Sequence, residues 1–167
     1  MKISLCMIVK NEQEVLEKCL RSAVAFVDEI VIVDTGSSDN TKQIAQKFTD
    51  KILDFTWCND FSKARNYSIS KAENDWVLIL DADETIVNWD NALVERHMKS
   101  NADTVGKIKI INLIDDINGG EKRTIDYVSR FFNKNSFQFE GIVHEQIIRK
   151  DGSSHNREII GISVEHI

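Results

Sequence analysis

Apolar-rich blocks, each opening on a charged residue, punctuate the first half of this chain at residues 2–9, 29–33, 51–53 and 75–80. Apolar runs of four to eight residues, bounded by polar turns, are the pattern of strands buried on both faces, and 51–53 is a shorter strand of the same kind. Between them the period lengthens. Val15, Leu16, Cys19, Leu20, Ala23 and Val24 recur at helical spacing, and Ile44, Ala45 and Phe48 share one helical face. A loop at 57–60 leads to a third helix over about 61–71. Asn11, with Glu14 three residues later, has capping-box spacing and predicts the start of the first helix. The order is βαβαβαβ, which predicts an α/β fold with a doubly wound, mostly parallel sheet.

The second half changes character. A helix is predicted over 90–99, then strands over 105–114 and 124–132 joined by a turn at Asn118-Gly119-Gly120. Further strands are predicted over 142–149 and 158–165, with a turn at Asp151-Gly152 between them. This part reads as mixed and partly antiparallel. The chain contains no proline, so its breaks rely on Gly, Asn and Asp. Its 167 residues predict a single domain, 1–167. It stops at His166-Ile167 without a polar tail, the ending expected of a domain truncated at its C-terminus.

Composition narrows the partners. Hydrophobic residues at 42% and charged residues at 29% are an ordinary soluble balance. A net charge of −6 argues against a general nucleic-acid binder, which needs a basic field. A nucleotide ligand is still compatible, because a metal can supply positive charge locally. No apolar run approaches the roughly 18 residues of a membrane span, so no integral membrane contact is expected. The apolar start is interrupted by Lys10 and Asn11 and is not a signal peptide. Cys6, Cys19 and Cys58 are odd in number and lack CxxC spacing, which reads as buried, reduced thiols of a cytoplasmic protein.

The chemistry concentrates where the fourth block ends, at Leu80-Asp81-Ala82-Asp83-Glu84. Ligands of open α/β sheets bind beyond the carboxyl ends of the strands. Two carboxylates there, two residues apart, point to a divalent cation such as Mn²⁺ or Mg²⁺. Asp34 ends the second block and can accept from a base N–H or from ribose hydroxyls. The backbone of residues 9–12 reaches the same sheet edge. Arg65 is a candidate for a pyrophosphate or base, Glu145 for a general base, and His166 for a late metal ligand. His97 and His155 read as surface residues.

The segments 4–12, 32–41, 57–66 and 80–84, joined by 129–132 and 141–145, resemble those of family 2 glycosyltransferases of the GT-A fold. Within that family they resemble a bacterial subgroup that includes the peptide S-glycosyltransferases of glycosylated bacteriocins. The resemblance covers nearly the whole chain. It implies an inverting transfer of a sugar from a nucleoside diphosphate sugar, a UDP-hexose or UDP-N-acetylhexosamine by family prevalence. The acceptor would be a peptide, protein or glycan. By the same resemblance Val9, Asn11, Glu12 and Asp34 hold the nucleoside, and Arg65 lies near the nucleotide. Asp81 and Ala82 lie against the donor, and Asp81 and Asp83 bind the metal. Glu145 is the base. His166 matches a histidine that opens a further motif, of which only Ile167 follows here.

Two rivals stand beside this reading. Asp81-Ala82-Asp83-Glu84-Thr85 fits the DxDxT of HAD-type phosphatases, with Asp81 as nucleophile and Asp115-Asp116 as a later acidic pair. That motif usually opens its fold, whereas three βα units precede it here. The second rival is a nucleotide-sugar-binding fragment that does not turn over.

Overall fold

The structure, a computed structural model, describes residues 1–100, 102–115 and 121–166. The expected turn at Asn118-Gly119-Gly120, together with Asp116 and Ile167, lies outside the described residues. In chain order the elements are β1 (Ile3–Val9), α1 (Leu16–Ala23), β2 (Glu29–Asp34), α2 (Thr41–Ala45), β3 (Ile52–Asp54), α3 (Phe61–Ser70) and β4 (Trp76–Ile79). Then follow β5 (Glu84–Trp89), α4 (Asn91–Ser100), β6 (Thr104–Asp115), β7 (Glu121–Asn133), β8 (Phe137–Glu140), β9 (Gln146–Arg149) and β10 (Asn156–His166). Eight strands form one sheet in the order β3-β2-β1-β4-β7-β6-β10-β5, and β8 and β9 form a separate ribbon.

The apolar blocks explain the layers. Leu78 and Leu80 face a core with Leu16 and Leu20 of α1 and Val94 and Met98 of α4. Val77 and Ile79 face the opposite core, with Ile69 of α3, Phe137 of β8 and Ile147 of β9. Burying one such side chain fully stabilises by about 2 kcal/mol. A one-residue slip of β4 would exchange the two faces and carry the acidic turn with it, so packing fixes where Asp81 stands.

Parallel pairing sets the rim. Val9 pairs with Asp34, and Asp34 with Asp54, so the carboxyl ends of β1, β2 and β3 finish level. Strand β7 runs antiparallel to β4, and β6 antiparallel to β7. Strand β10 is parallel to β6. The ends of β6 and β10 therefore return to the same rim as the end of β4.

Several expectations change. Asn11 does not cap α1, whose N-cap is Val15 with no side-chain cap bond. Asn11 is left-handed (φ 55°), a conformation asparagine tolerates, and its side chain turns to the second loop instead. Strand β5 was not anticipated. Its alternation is broken by exposed Val87, and it pairs at the sheet edge with β10. Gly161 in β10 (φ 76°) makes that approach possible: a Cβ there would lie 2.8 Å from Cβ of Asp90. The strand expected over 142–149 is only β9, because positive φ at Gly141 and His144 turns residues 141–145 into a loop. His97 is buried, not exposed, on the helical face it shares with Val94 and Met98. It packs against Trp76 and Phe131 and bonds Glu158 through Nδ1 at 2.5 Å. His155 is half-buried against Phe137. Cys6 and Cys19 are buried as expected, but Cys58 is exposed.

Candidate functional site

At the rim a pocket of about 420 Å³ opens, lined among others by Val9, Lys10 and Glu12 after β1, Thr35 after β2, Trp57, and Arg65 of α3. Asp81, Ala82 and Asp83 after β4 and His166 at the end of β10 complete it. The volume suits a small-molecule ligand.

Arg65 is brought there by α3. Asp60 caps this helix, its Oδ1 accepting from the backbone N–H of Lys63 at 3.1 Å. One turn on, Arg65 is 7% exposed and donates from Nε to Glu145 Oε1 (2.7 Å) and from Nη2 to Asp81 Oδ1 (3.0 Å). Its guanidinium lies over the ring of Phe139, 5.6 Å from the centroid. Glu145 sits on the loop between β8 and β9, and α3 pins that loop. Ser62 Oγ donates to Gly141 O (2.5 Å), and Asn66 exchanges two bonds with the backbone of Phe139.

Arg130 was missed as a site residue. The antiparallel pairing of Leu78 with Phe131 puts the next residue of β7 beside the end of β4. From there Arg130 Nη2 donates to Asp81 Oδ2 (2.7 Å) and to Glu84 Oε1 (3.3 Å). Glu84 was missed too. It is 3% exposed, and its Oε2 accepts from the Asp81 backbone N–H at 2.9 Å, closing the acidic turn on itself. The sequence offered one signal, an arginine inside the segment 129–132, but its partner depends on strand register.

The electrostatics follow from this packing. Burial alone would push the Asp81 carboxyl up. The guanidiniums of Arg130 and Arg65 outweigh it and hold Asp81 well below the usual carboxylate range. Burial raises Glu84; Arg130 opposes that, and the charges of Asp81 and Asp83 add to it. Burial lowers Arg130, but Asp81 and Glu84 together raise it above its ordinary value. Glu12 is raised by burial, then by Asp83, Asp39 and Asp81. Nη1 of Arg65 and Nε of Arg130 are buried without a protein partner.

Asp83 stands apart from that network. Its Oδ2 lies 3.2 Å from Nε2 of His166, and both side chains are about two-fifths exposed (39% and 42%). The carboxylate oxygen suits Mn²⁺ or Mg²⁺, and the imidazole nitrogen beside it moves the preference toward a transition metal, Mn²⁺ of the two. Asp81 presents each of its oxygens to an arginine, so it serves a cation less well than Asp83 does. Among the described residues no cluster of three or more His, Cys, Asp and Glu is arranged as a metal cage. A cation held here would take further oxygens from a ligand and water, as Mg²⁺ usually does.

The remaining expected residues lie outside the pocket lining. Asn11 ties the first loop to the second, Oδ1 accepting from Ser38 N (2.8 Å) and N–H donating to Ser37 Oγ (2.9 Å). Asp34 is 1% exposed, and its Oδ1 accepts from Gly36 N (2.9 Å) and Ser37 N (2.8 Å), while Oδ2 is buried without a partner. Glu145 is held one step back, by Arg65.

Comparison with known proteins gives a family model, glycosyl transferase family 2, matching residues 4–157. The chain is 30% identical to the SPbeta prophage-derived glycosyltransferase SunS of Bacillus subtilis, over 95% of this chain and 38% of that protein. It is 49% identical to a TPR repeat-containing protein of Synechococcus elongatus over 52% of this chain and 21% of the other. It therefore spans about a fifth to two-fifths of the length of these relatives. Among solved structures it resembles a mycobacterial protein (18% identity, 66% of this chain and 41% of that one, TM-score 0.53). It also resembles glucosyl-3-phosphoglycerate synthase of Mycobacterium tuberculosis, solved with Mg²⁺ and uridine diphosphate (19% identity, 66% and 43%, TM-score 0.50). These likenesses establish the GT-A fold. None of the described helices is long and apolar enough to cross a membrane.

Proposed function

The chain belongs to glycosyl transferase family 2, and from that premise we propose that it binds a uridine diphosphate sugar at the rim pocket and transfers the sugar, with inversion, to an acceptor. The family displaces the phosphatase reading. So does the geometry, since a nucleophilic Asp81 would have to work with both oxygens bonded to arginines.

One observation carries the reading. A half-exposed Asp83–His166 pair and a buried arginine with an unpartnered N–H line the same cavity. The first suits a divalent cation, the second an anion, and a metal-bound diphosphate answers both. Lys10 adds a further positive charge to the wall. The fold relative solved with Mg²⁺ and uridine diphosphate agrees with this choice of ligand. Asp34, through Oδ2, is assigned to a base N–H, and the backbone of Val9 to Glu12 to the rest of the nucleoside.

Asp83 and His166 would hold Mn²⁺ or Mg²⁺, which when bound would supply a counter-charge for the leaving diphosphate. Arg65 adds a fixed donor to the same developing charge, oriented by Asp81 and Glu145. Glu145 offers Oε2 as the base for the acceptor proton, since its Oε1 is engaged by Arg65. The resemblance to the subgroup that includes peptide S-glycosyltransferases favours a peptide or protein acceptor.

The test is calorimetry with UDP and Mn²⁺, together with UDP release from a panel of UDP-hexoses and UDP-N-acetylhexosamines. Metal-dependent binding with release supports the proposal. Binding without release from any donor would reduce the domain to a nucleotide-sugar-binding fragment. Binding indifferent to both Mn²⁺ and Mg²⁺ would remove the cation.

A further inference from the structure

We propose that Asn112 is a positioning residue for the cation site, holding His166 as the Nδ1–H tautomer, and that Asp126 in turn holds Asn112. The inference rests on Asp83 and His166 being the ligands.

Sheet register brings the three together. His166 of β10 pairs with Asn112 of β6, and Asn112 pairs with Thr124 of β7. Asp126 lies two residues along β7, on the same face as Thr124 and within reach across the diagonal. Asn112 Nδ2 donates to Asp126 Oδ2 (2.8 Å) and, more weakly, to Thr124 Oγ1 (3.4 Å). An ionised carboxylate only accepts, so the amide NH₂ must face Asp126 and the amide oxygen must face His166. The contact from His166 Nδ1 to Asn112 Oδ1 is 2.9 Å. That oxygen also only accepts, so Nδ1 carries the proton. As a metal ligand the ring must be neutral, and its lone pair is then on Nε2, directed at Asp83 Oδ2. Two lone pairs facing one another are stabilised by a cation shared between them. Metal-bound histidines generally donate the other ring N–H to a carboxylate or carbonyl, and loss of that partner costs 10- to 100-fold in affinity.

The experiment measures Mn²⁺ affinity in the presence of UDP by electron paramagnetic resonance. In parallel, ¹⁵N shifts of the His166 ring are read with Mg²⁺ and UDP bound, in the 167-residue chain. Asn112→Ala is expected to lower Mn²⁺ affinity about 10- to 100-fold and to mix the two tautomers. Asn112→Asp combined with Asp126→Asn keeps an acceptor for Nδ1 and a donor–acceptor contact behind it, and is expected to retain the single tautomer. Asp126→Ala, at an exposed position, gives a smaller loss and stands in for Asn112→Ala if that variant fails to fold. Unchanged affinity and tautomer in the alanine variants would overturn the inference while leaving Asp83 and His166 as ligands. So would a proton found on Nε2 of the wild-type ring. If UDP binds but the wild type takes up no Mn²⁺, the cation site falls and this inference with it.

Discussion

Asp81 and Asp83 are two residues apart in one turn, yet they occupy different physical environments. Asp81 is braced by Arg65 and Arg130, whose side chains are 9% and 12% exposed. Among the described residues Asp83 meets His166, and since the two acids are about equally exposed (37% for Asp81, 39% for Asp83), the partner and not the burial separates them. A carboxylate braced by buried guanidiniums is part of the frame. A carboxylate whose partner is a half-exposed imidazole can exchange it. The paired-acid motif therefore divides into a member bonded to two arginines and, on the proposed reading, a member left to hold the ligand, and the sheet, not the spacing, makes the division.

Removing the first acid should have the largest effect. Asp81→Ala leaves two buried guanidiniums short of a counter-charge, and breaking such a pair costs about 3–5 kcal/mol. Urea unfolding should show an unfolding free energy lower by that amount, whereas Asp83→Ala should stay within about 1 kcal/mol of wild type. Equal losses in the two variants would erase the distinction between them.

Asp83→Ala should instead abolish the metal-dependent part of the UDP-induced thermal shift. At a ligand concentration near 100 times Kd the whole UDP-induced stabilisation is about 2.7 kcal/mol, and the metal-dependent part is the share of it that metal removal takes away. A shift the same as in wild type would take Asp83 out of the site.

Arg65→Lys retains a charge but loses the fork that joins Glu145 to Asp81. Calorimetry should find UDP bound about tenfold more weakly, or about 1.4 kcal/mol. Unchanged affinity would confine Arg65 to the frame.

The smallest effect is in pH dependence, and here Asp81 and Glu84 differ in sign. Asp81 is depressed, so its stabilisation is fully present above the unfolded value near pH 3.9 and is lost as pH falls through the lower folded value. Glu84 is raised, so its favourable contribution exists below about pH 4.3 and is lost as pH rises through the folded value. The two share Arg130, so they titrate as a pair. Unfolding measured between pH 3 and 7 should show Asp81→Asn flattening the acid limb and Glu84→Gln flattening the limb above it. The reverse assignment would contradict the arrangement around Arg130.

The sequence displayed the parallel half of this site well, for a physical reason. Buried parallel strands are apolar on both faces and end abruptly, so Val9, Asp34 and Asp81 could be placed on one rim before any coordinates. The antiparallel half was hidden. Arg130 reaches the acidic turn only through the register of β7 against β4, and Asn112 and Asp126 meet His166 only through the register of β6, β7 and β10. Asn11 has the spacing of a cap, yet its left-handed backbone spends its side chain on Ser38. His97 shares an apolar helical stripe with Val94 and Met98, so its position, not its polar type, decides its burial.

The three thiols offer a practical route to these measurements. Burial raises the pKa of Cys6 and Cys19, which keeps them protonated and slow to react, while Cys58 is exposed beside Trp57 at the pocket. A maleimide dye should therefore attach at one position only. From that position its fluorescence would follow donor arrival and departure in real time without replacing any residue that grips the ligand.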